Sequence, residues 1–167
     1  MRQVLTGICY LREVTPRSRD YVLSFGERLS AKILCGALID LRLEARCLTG
    51  GEAGILTDDN YGSARPLMKT TAQQVQTRIT PLIEKRVIPV IAGFMGETQN
   101  GVTTTLGRGG SDYTAAIVGV AMRADEVWIW TDVDGLMTAD PKLVPDARTI
   151  PKLSFSCLLY TSPSPRD

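Results

Sequence analysis

The run Val87–Phe94 (VIPVIAGF) constrains the fold more than any other part of this sequence. It is a short stretch rich in β-branched residues and bounded by turn formers, the pattern of a buried strand. Helical periodicity flanks it. From about Ser18 to Leu43, Leu23, Leu29, Ile33, Leu34, Ala37 and Leu41 recur at three- and four-residue steps and predict one apolar face. Thr71–Arg86 predicts a second helix with Val75, Ile79, Leu82 and Ile83 inward, and Pro81 is expected to kink or divide it.

Shorter elements complete the alternation. Ala45–Leu48 is a strand candidate closed by Gly50-Gly51, and Gly54–Ser63 reads as an irregular loop. Glu97–Gly101 reads as a turn and Val102–Leu106 as a Thr-rich strand. Asp112–Arg123 predicts a helix that is apolar almost all round and buried on most sides. Glu126–Thr131 (EVWIWT) reads as another buried strand, ended by Asp132–Gly135. Helices alternating with buried strands argue for an α/β domain with a largely parallel sheet.

Composition excludes several classes. Of 167 residues, 44% are hydrophobic and 22% charged, which supports a sizeable core, and the net charge of +1 gives no footprint for nucleic acid. Met1–Tyr10 lacks a signal-peptide core, and the longest apolar stretch, Ala115–Met122, is too short to span a bilayer. Cys9, Cys35, Cys47 and Cys157 form no CxxC pair, and there is no histidine to help bind zinc. Free buried thiols in a cytoplasmic protein are expected.

Four local patterns bear on chemistry. Gly107-Arg108-Gly109-Gly110-Ser111-Asp112 lies between a strand and a helix. Its glycines permit close backbone approach, the helix N-terminus favours an anion, and Arg108 offers a fork for carboxylate or phosphate. The same residues also fit a plain tight turn with Ser111 as helix N-cap. Thr131-Asp132-Val133-Asp134-Gly135 follows a strand, where ligands of open α/β sheets gather, and equally fits a turn with solvated acids. Ser24–Arg28 places Gly26 inside a helix at a cost of roughly 1 kcal/mol. Close approach by a neighbouring element or a ligand would explain it, with Glu27 facing a cleft; the alternative is an ordinary exposed glutamate. Thr49–Gly54 reads either as a flexible loop over a site or as a simple connection.

Taken together, SRDYVLSFGERLSA, TGGEAGILTDDNYGSAR, TTLGRGGSDYTAA and IWTDVDGLMTADPKLVPDARTIPKLSF resemble the central motifs of aspartate kinases in the amino-acid kinase family, most like the single-function, archaeal-like type. The resemblance runs from about Leu5 to Phe155. It implies a three-layer α/β/α sandwich of the amino-acid kinase type, mostly parallel in its sheet and incomplete at both ends. It implies ATP-dependent phosphorylation of the β-carboxylate of L-aspartate, with ATP and Mg²⁺ as the nucleotide and its metal. Glu27 would bind the aspartate ammonium and Arg108 a carboxylate, with Gly109, Gly110 and Ser111 as the adjoining loop. Asp112 would organise the transferring phosphate. Thr131 and Asp132 would bind nucleotide, as would Met137 and Lys142, where relatives often have tyrosine and arginine. Complete relatives would be homo-oligomers without a nucleic-acid or membrane partner.

The resemblance also sets limits. No K-F-G-G-T-S strand precedes Leu5, so Met1 is expected to be an internal start, and the end of the kinase domain and the regulatory ACT domains are expected to be missing. Residues 1–155 are expected to be a partial catalytic domain, inactive and poorly stable alone. Cys157–Asp167 (CLLYTSPSPRD) back-translates to a run like a transposase-type sequencing adapter, so 156–167 is expected to be a non-native tail. Another amino-acid kinase, of glutamate or acetylglutamate type, and a non-enzymatic remnant are the alternatives.

Overall fold

The computed structural model describes residues 2–130 and 135–154. Helix α1 (Arg2–Leu11) leads in and buries none of its residues. The Thr15 hydroxyl accepts the Ser18 N–H at 3.2 Å, and Pro16 presets the first turn of α2 (Pro16–Asp40).

The inward face of α2 is not the one its hydropathy indicates. Leu23, Leu29, Ile33, Leu34, Ala37 and Leu41 lie outward, with Ile33 73% exposed. The buried residues are Asp20, Ser24, Ala31 and Cys35. Their spacing is equally helical, but their side chains are small. Strands therefore approach the helix closely, and Ala31 and Cys35 pack with Val90, Ala92 and Met95.

Strands β1 (Ala45–Leu48) and β2 (Ile88–Ile91) run parallel, with Ala45 opposite Ile88 and Leu48 opposite Ile91. The strand expected over Val87–Phe94 is thus shorter at both ends. Side chains alternate across the pair. Cys47, Val90 and Ala92 join the cluster beneath α2, whereas Leu48 and Ile91 join Ala53, Ile55, Val75 and Ile79 on the other side. Between β1 and β2 the chain passes through α3 (Gly50–Ala53), a loop and α4 (Met68–Glu84). A parallel pair needs such a crossover. Helices on both faces make three layers, so the expected α/β class holds.

Val75 and Ile79 are fully buried as expected, while Ile83 points out. Pro81 does not divide α4, which runs on to Glu84. It sits in the last turn, where its missing N–H costs only the bond to the Thr77 carbonyl. Thr49–Gly54 is no flexible loop. The Thr49 hydroxyl accepts the Glu52 N–H at 3.1 Å, and the Glu52 carboxylate accepts the Thr49 N–H at 2.7 Å. This reciprocal cap starts α3. Gly50 is required by packing, since a Cβ there would overlap the Met95 carbonyl.

Strands β3 (Met95–Glu97) and β4 (Thr103–Thr105) form an antiparallel hairpin with Met95 opposite Thr105. Glu97, expected in a turn, ends β3. Each threonine of β4 has its own partner. Thr103 Oγ1 accepts from Arg28 Nη2 at 3.0 Å, the Thr104 and Thr57 hydroxyls meet at 2.7 Å, and Thr105 Oγ1 donates to Asp20 Oδ1 at 2.8 Å. Helix α5 (Gly110–Met122) buries Gly110, Thr114, Ile117 and Ala121, while Tyr113 and Val120 are exposed. It thus packs by one face instead of being buried on most sides.

A buried strand is expected over Glu126–Thr131; its described part, Glu126–Trp130, belongs to neither sheet, and Trp130 is 86% exposed. Aromatic and β-branched residues suit a pleated surface, but a strand exists only where a neighbour supplies the ladder. Contacts divide the chain into two compact units, Met1–Val127 and Trp128–Asp167. Within the second, Met137 and Thr149 form an isolated antiparallel bridge. The expected tail, 156–167, lies outside the described residues.

Among the described residues the cysteines are free: Cys35 is buried, Cys47 half-buried, and Cys9, against expectation, exposed. Burial first, and then neighbouring Cys35, pushes the Cys47 thiol above its ordinary 9.0. No helix of the described residues is long and apolar enough to cross a membrane.

Two outcomes follow from this packing. In urea unfolding, Ile79→Ala should cost about 2–5 kcal/mol, whereas Ile33→Ala should stay within about 0.5 kcal/mol. The hydrogen bond from the Thr49 backbone holds the Glu52 carboxyl below its ordinary 4.5. A carboxyl depressed by folding adds stability above its unfolded value and loses it as pH falls through the folded one. The thermal midpoint should therefore drop less steeply in Glu52→Gln than in wild type as pH is lowered through 4.5.

Candidate functional site

A cavity of about 310 Å³ opens between α2 and the turn joining β4 to α5, lined by Leu23, Gly26, Glu27, Phe94 and residues 107–112. Helix α2 contributes Glu27 to it two turns after the buried Asp20. Beside Gly26, apart from its chain neighbours and the adjacent backbone of α2, no atom lies within 4 Å of where a Cβ would stand. The space at Gly26 therefore belongs to the cavity and not to a neighbouring element.

The opposite wall is built from backbone. Gly107 (φ 79°) and Gly109 (φ 71°) adopt the left-handed conformation that glycine favours. Gly109 is the N-cap of α5 and no side chain caps the helix. The expected cap, Ser111, does something else: its hydroxyl donates to Glu27 Oε1 at 3.2 Å. First-turn N–H groups of a helix have no intrahelical acceptor, so the start of α5 presents donors and a positive dipole end beside the Arg108 guanidinium.

Close approach holds this wall in place. A Cβ on Gly110 would come within 2.8 Å of the Phe94 ring, and one on Gly93 within 3.1 Å of Ser111 Cα. Phe94 is itself left-handed (φ 64°), a strained state for a bulky residue. Its N–H donates to Thr114 Oγ1 at 3.0 Å, its carbonyl accepts from Leu106 N at 2.9 Å, and Thr114 donates onward to the Gly110 carbonyl at 2.7 Å. Sequence reading assigned no site role to Phe94. Its only signal was a bulky residue directly after a strand and a glycine.

The structure therefore brings Glu27, Arg108, Gly109, Gly110, Ser111 and Asp112 to one cavity. Thr131 and Asp132 lie outside the described residues. Met137 and Lys142 belong to the second unit, where Met137 is half-buried and the Lys142 N–H donates to Asp140 Oδ1 at 2.8 Å. A second cavity, of about 440 Å³, adjoins the first across the Glu27–Ser111 bond and follows β2 past Pro89, Ile91 and Gly93.

Chemically, the first cavity sets a carboxylate on α2 against a guanidinium and a helix start. No salt bridge among the described residues neutralises Glu27 or Arg108. Such a site suits a small molecule bearing both an ammonium and a carboxylate, and its glycine turn also suits a phosphate. No group of three or more metal-binding side chains occurs among the described residues.

The model of the amino acid kinase family matches residues 4–160. Aspartokinase 1 of Bacillus subtilis is 38% identical over 154 residues, covering 91% of this chain and 37% of the relative. The aspartate kinase of Pseudomonas putida is 42% identical over 144 residues, covering 86% and 34%. Aspartokinase 2, chloroplastic, of Arabidopsis thaliana is 36% identical over 156 residues, covering 93% and 29%. The chain thus spans about a third of the length of these curated relatives. In three dimensions it is similar to E. coli aspartokinase III in complex with aspartate and ADP, with a TM-score of 0.79, 33% identity, and coverage of 89% of this chain and 34% of that one. The same enzyme in complex with lysine and aspartate gives a TM-score of 0.74 at 34% identity, with the same coverage.

The glycine packing has a measurable consequence. Gly110→Ala should force the Phe94 ring aside and cost about 1–3 kcal/mol in urea unfolding, whereas Gly36→Ala, within α2 with open space around it and no left-handed φ, should not destabilise.

Proposed function

This chain belongs to the amino acid kinase family, and from that premise we propose that it supplies the acceptor-binding part of an ATP-dependent kinase acting on the β-carboxylate of L-aspartate. The observation that supports this most is the convergence of Glu27 and Arg108 on one small cavity at the start of α5. The solved E. coli relative binds aspartate and ADP, which agrees with an amino acid beside a nucleotide.

In this reading Glu27 pairs with the α-ammonium and Arg108 grips the α-carboxylate, so the side chain of the acceptor projects toward the helix start. The β-carboxylate, with an ordinary pKa of about 4, is already ionised at neutral pH and needs no general base. One carboxylate oxygen attacks the γ-phosphorus, the bond to the bridging oxygen of ADP breaks, and its electron pair leaves with ADP. What the protein must supply is in-line positioning and charge neutralisation for two anions. Arg108 and the N–H groups of α5 provide part of that. Mg²⁺, carried by the nucleotide, would supply the remainder of the positive charge. Asp112, in the first turn of α5, would orient groups about the transferring phosphate. Thr131, Asp132, Met137 and Lys142 are assigned to the nucleotide.

Isothermal titration of this chain with L-aspartate, D-aspartate and L-glutamate tests the acceptor assignment. L-Aspartate should bind, with Glu27→Gln and Arg108→Ala each weaker by on the order of 10- to 100-fold, the worth of one charge-assisted contact. A preference for L-glutamate would move the chain to another acceptor within the same family. In a chimera that sets residues 1–155 within a complete aspartokinase, ATP-dependent formation of aspartyl hydroxamate should exceed that of its Arg108→Ala variant, and no product above that control counts against the reading.

A further inference from the structure

Asp20 lies outside the cavity, yet the walls of the cavity meet at its carboxylate. The residue is fully buried on α2. Its Oδ2 accepts the Thr105 N–H at 2.8 Å and the Gly62 N–H at 2.9 Å, and its Oδ1 accepts the Thr105 hydroxyl at 2.8 Å. Thr105 ends β4, three residues before Arg108. Gly62 belongs to the loop against which the glycine turn packs, since a Cβ on Gly107 would stand 3.2 Å from the Gly62 carbonyl. The Ala64 N–H donates to the Thr105 carbonyl at 2.9 Å, closing the loop onto β4. Glu27 lies seven residues further along α2, about 10 Å up the helix axis.

We infer that Asp20 is a positioning residue for the amino-acid site: it fixes the helix bearing Glu27 relative to the turn bearing Arg108. The inference rests on the proposed amino-acid-binding reading. A carboxylate is the side chain suited to this place. It accepts several donors at once and offers none, so two backbone N–H groups and a hydroxyl can converge on it in a dry interior. Two further side-chain ties join α2 to the segment from β4 to the turn among the described residues: Arg28 Nη2 donates to Thr103 Oγ1 at 3.0 Å, and the Ser111 hydroxyl donates to Glu27 Oε1 at 3.2 Å inside the site itself. Of these ties only that of Asp20 to Thr105 is fully buried, so the spacing between ammonium and carboxylate subsites is assigned chiefly to Asp20.

The test compares L-aspartate with succinate, which keeps both carboxylates and lacks the ammonium, by titration calorimetry on the 167-residue chain. Wild type should prefer aspartate by about tenfold or more, because both subsites are then engaged. In Asp20→Ala that ratio should fall toward one, in Asp20→Asn it should be largely retained, and in Thr105→Val it should lie between. Partial unfolding would weaken both ligands alike and leave the ratio untouched. A ratio unchanged in Asp20→Ala, or in Thr105→Val should the alanine variant fail to fold, overturns the inference. Wild type that does not distinguish the two ligands overturns the reading of the site itself, and this inference with it; that failure is visible before any substitution is made.

Discussion

A carboxylate taken out of water must find its donors within the protein, and Asp20 finds them on two separate segments. That requirement brings α2, the loop around Gly62 and β4 within hydrogen-bond distance of one another. It also accounts for the character of the helix face that packs inward. Ser24, Ala31 and Cys35 are small, so β1, β2 and β4 can lie close enough for Asp20 to reach Thr105. The three consecutive threonines of β4 complete the arrangement. Thr103 and Thr105 turn toward Arg28 and Asp20 on α2, while Thr104 turns the other way to Thr57. A strand of leucines could have filled the same volume but would have left the carboxylate without partners.

The cavity is an outgrowth of that polar core. Beyond Thr105 the chain must reverse into α5, and it does so through Gly107 and Gly109 in left-handed conformations that bring backbone N–H groups to the surface. Among the described residues no ion pair neutralises Glu27 or Arg108, so in the proposed reading these charges are left available to a zwitterionic ligand. Phe94, held left-handed by two hydrogen bonds, lines the same cavity.

The family match extends over residues 4–160 and the solved E. coli enzyme superposes over 89% of the chain. The cavity is lined by two charged side chains, Glu27 and Arg108, and by glycine backbone. The chain spans about a third of the length of its curated relatives, and the proposed acceptor site lies within that part.

The element order was largely legible in the sequence. Helices α2 and α4, the parallel strands β1 and β2 and the glycine turn before α5 follow from local patterns of three or four residues, or of two, and from where glycine interrupts them. Glu27 and Arg108 were legible too, as members of a resemblance, although nothing local placed them on one cavity. What escaped was everything that depends on a partner. The inward face of α2 could not be read because both of its stripes repeat helically, and only the closeness of the strands selected the smaller one. Glu126–Trp130 had strand composition, and only the absence of a ladder in either described sheet withheld strand structure from it. Asp20 looked like any charged residue of a helical surface. Periodicity is a property of one segment and can be counted along the chain; burial, register and hydrogen-bond satisfaction are properties of pairs of segments, and they come into being only when the chain has folded.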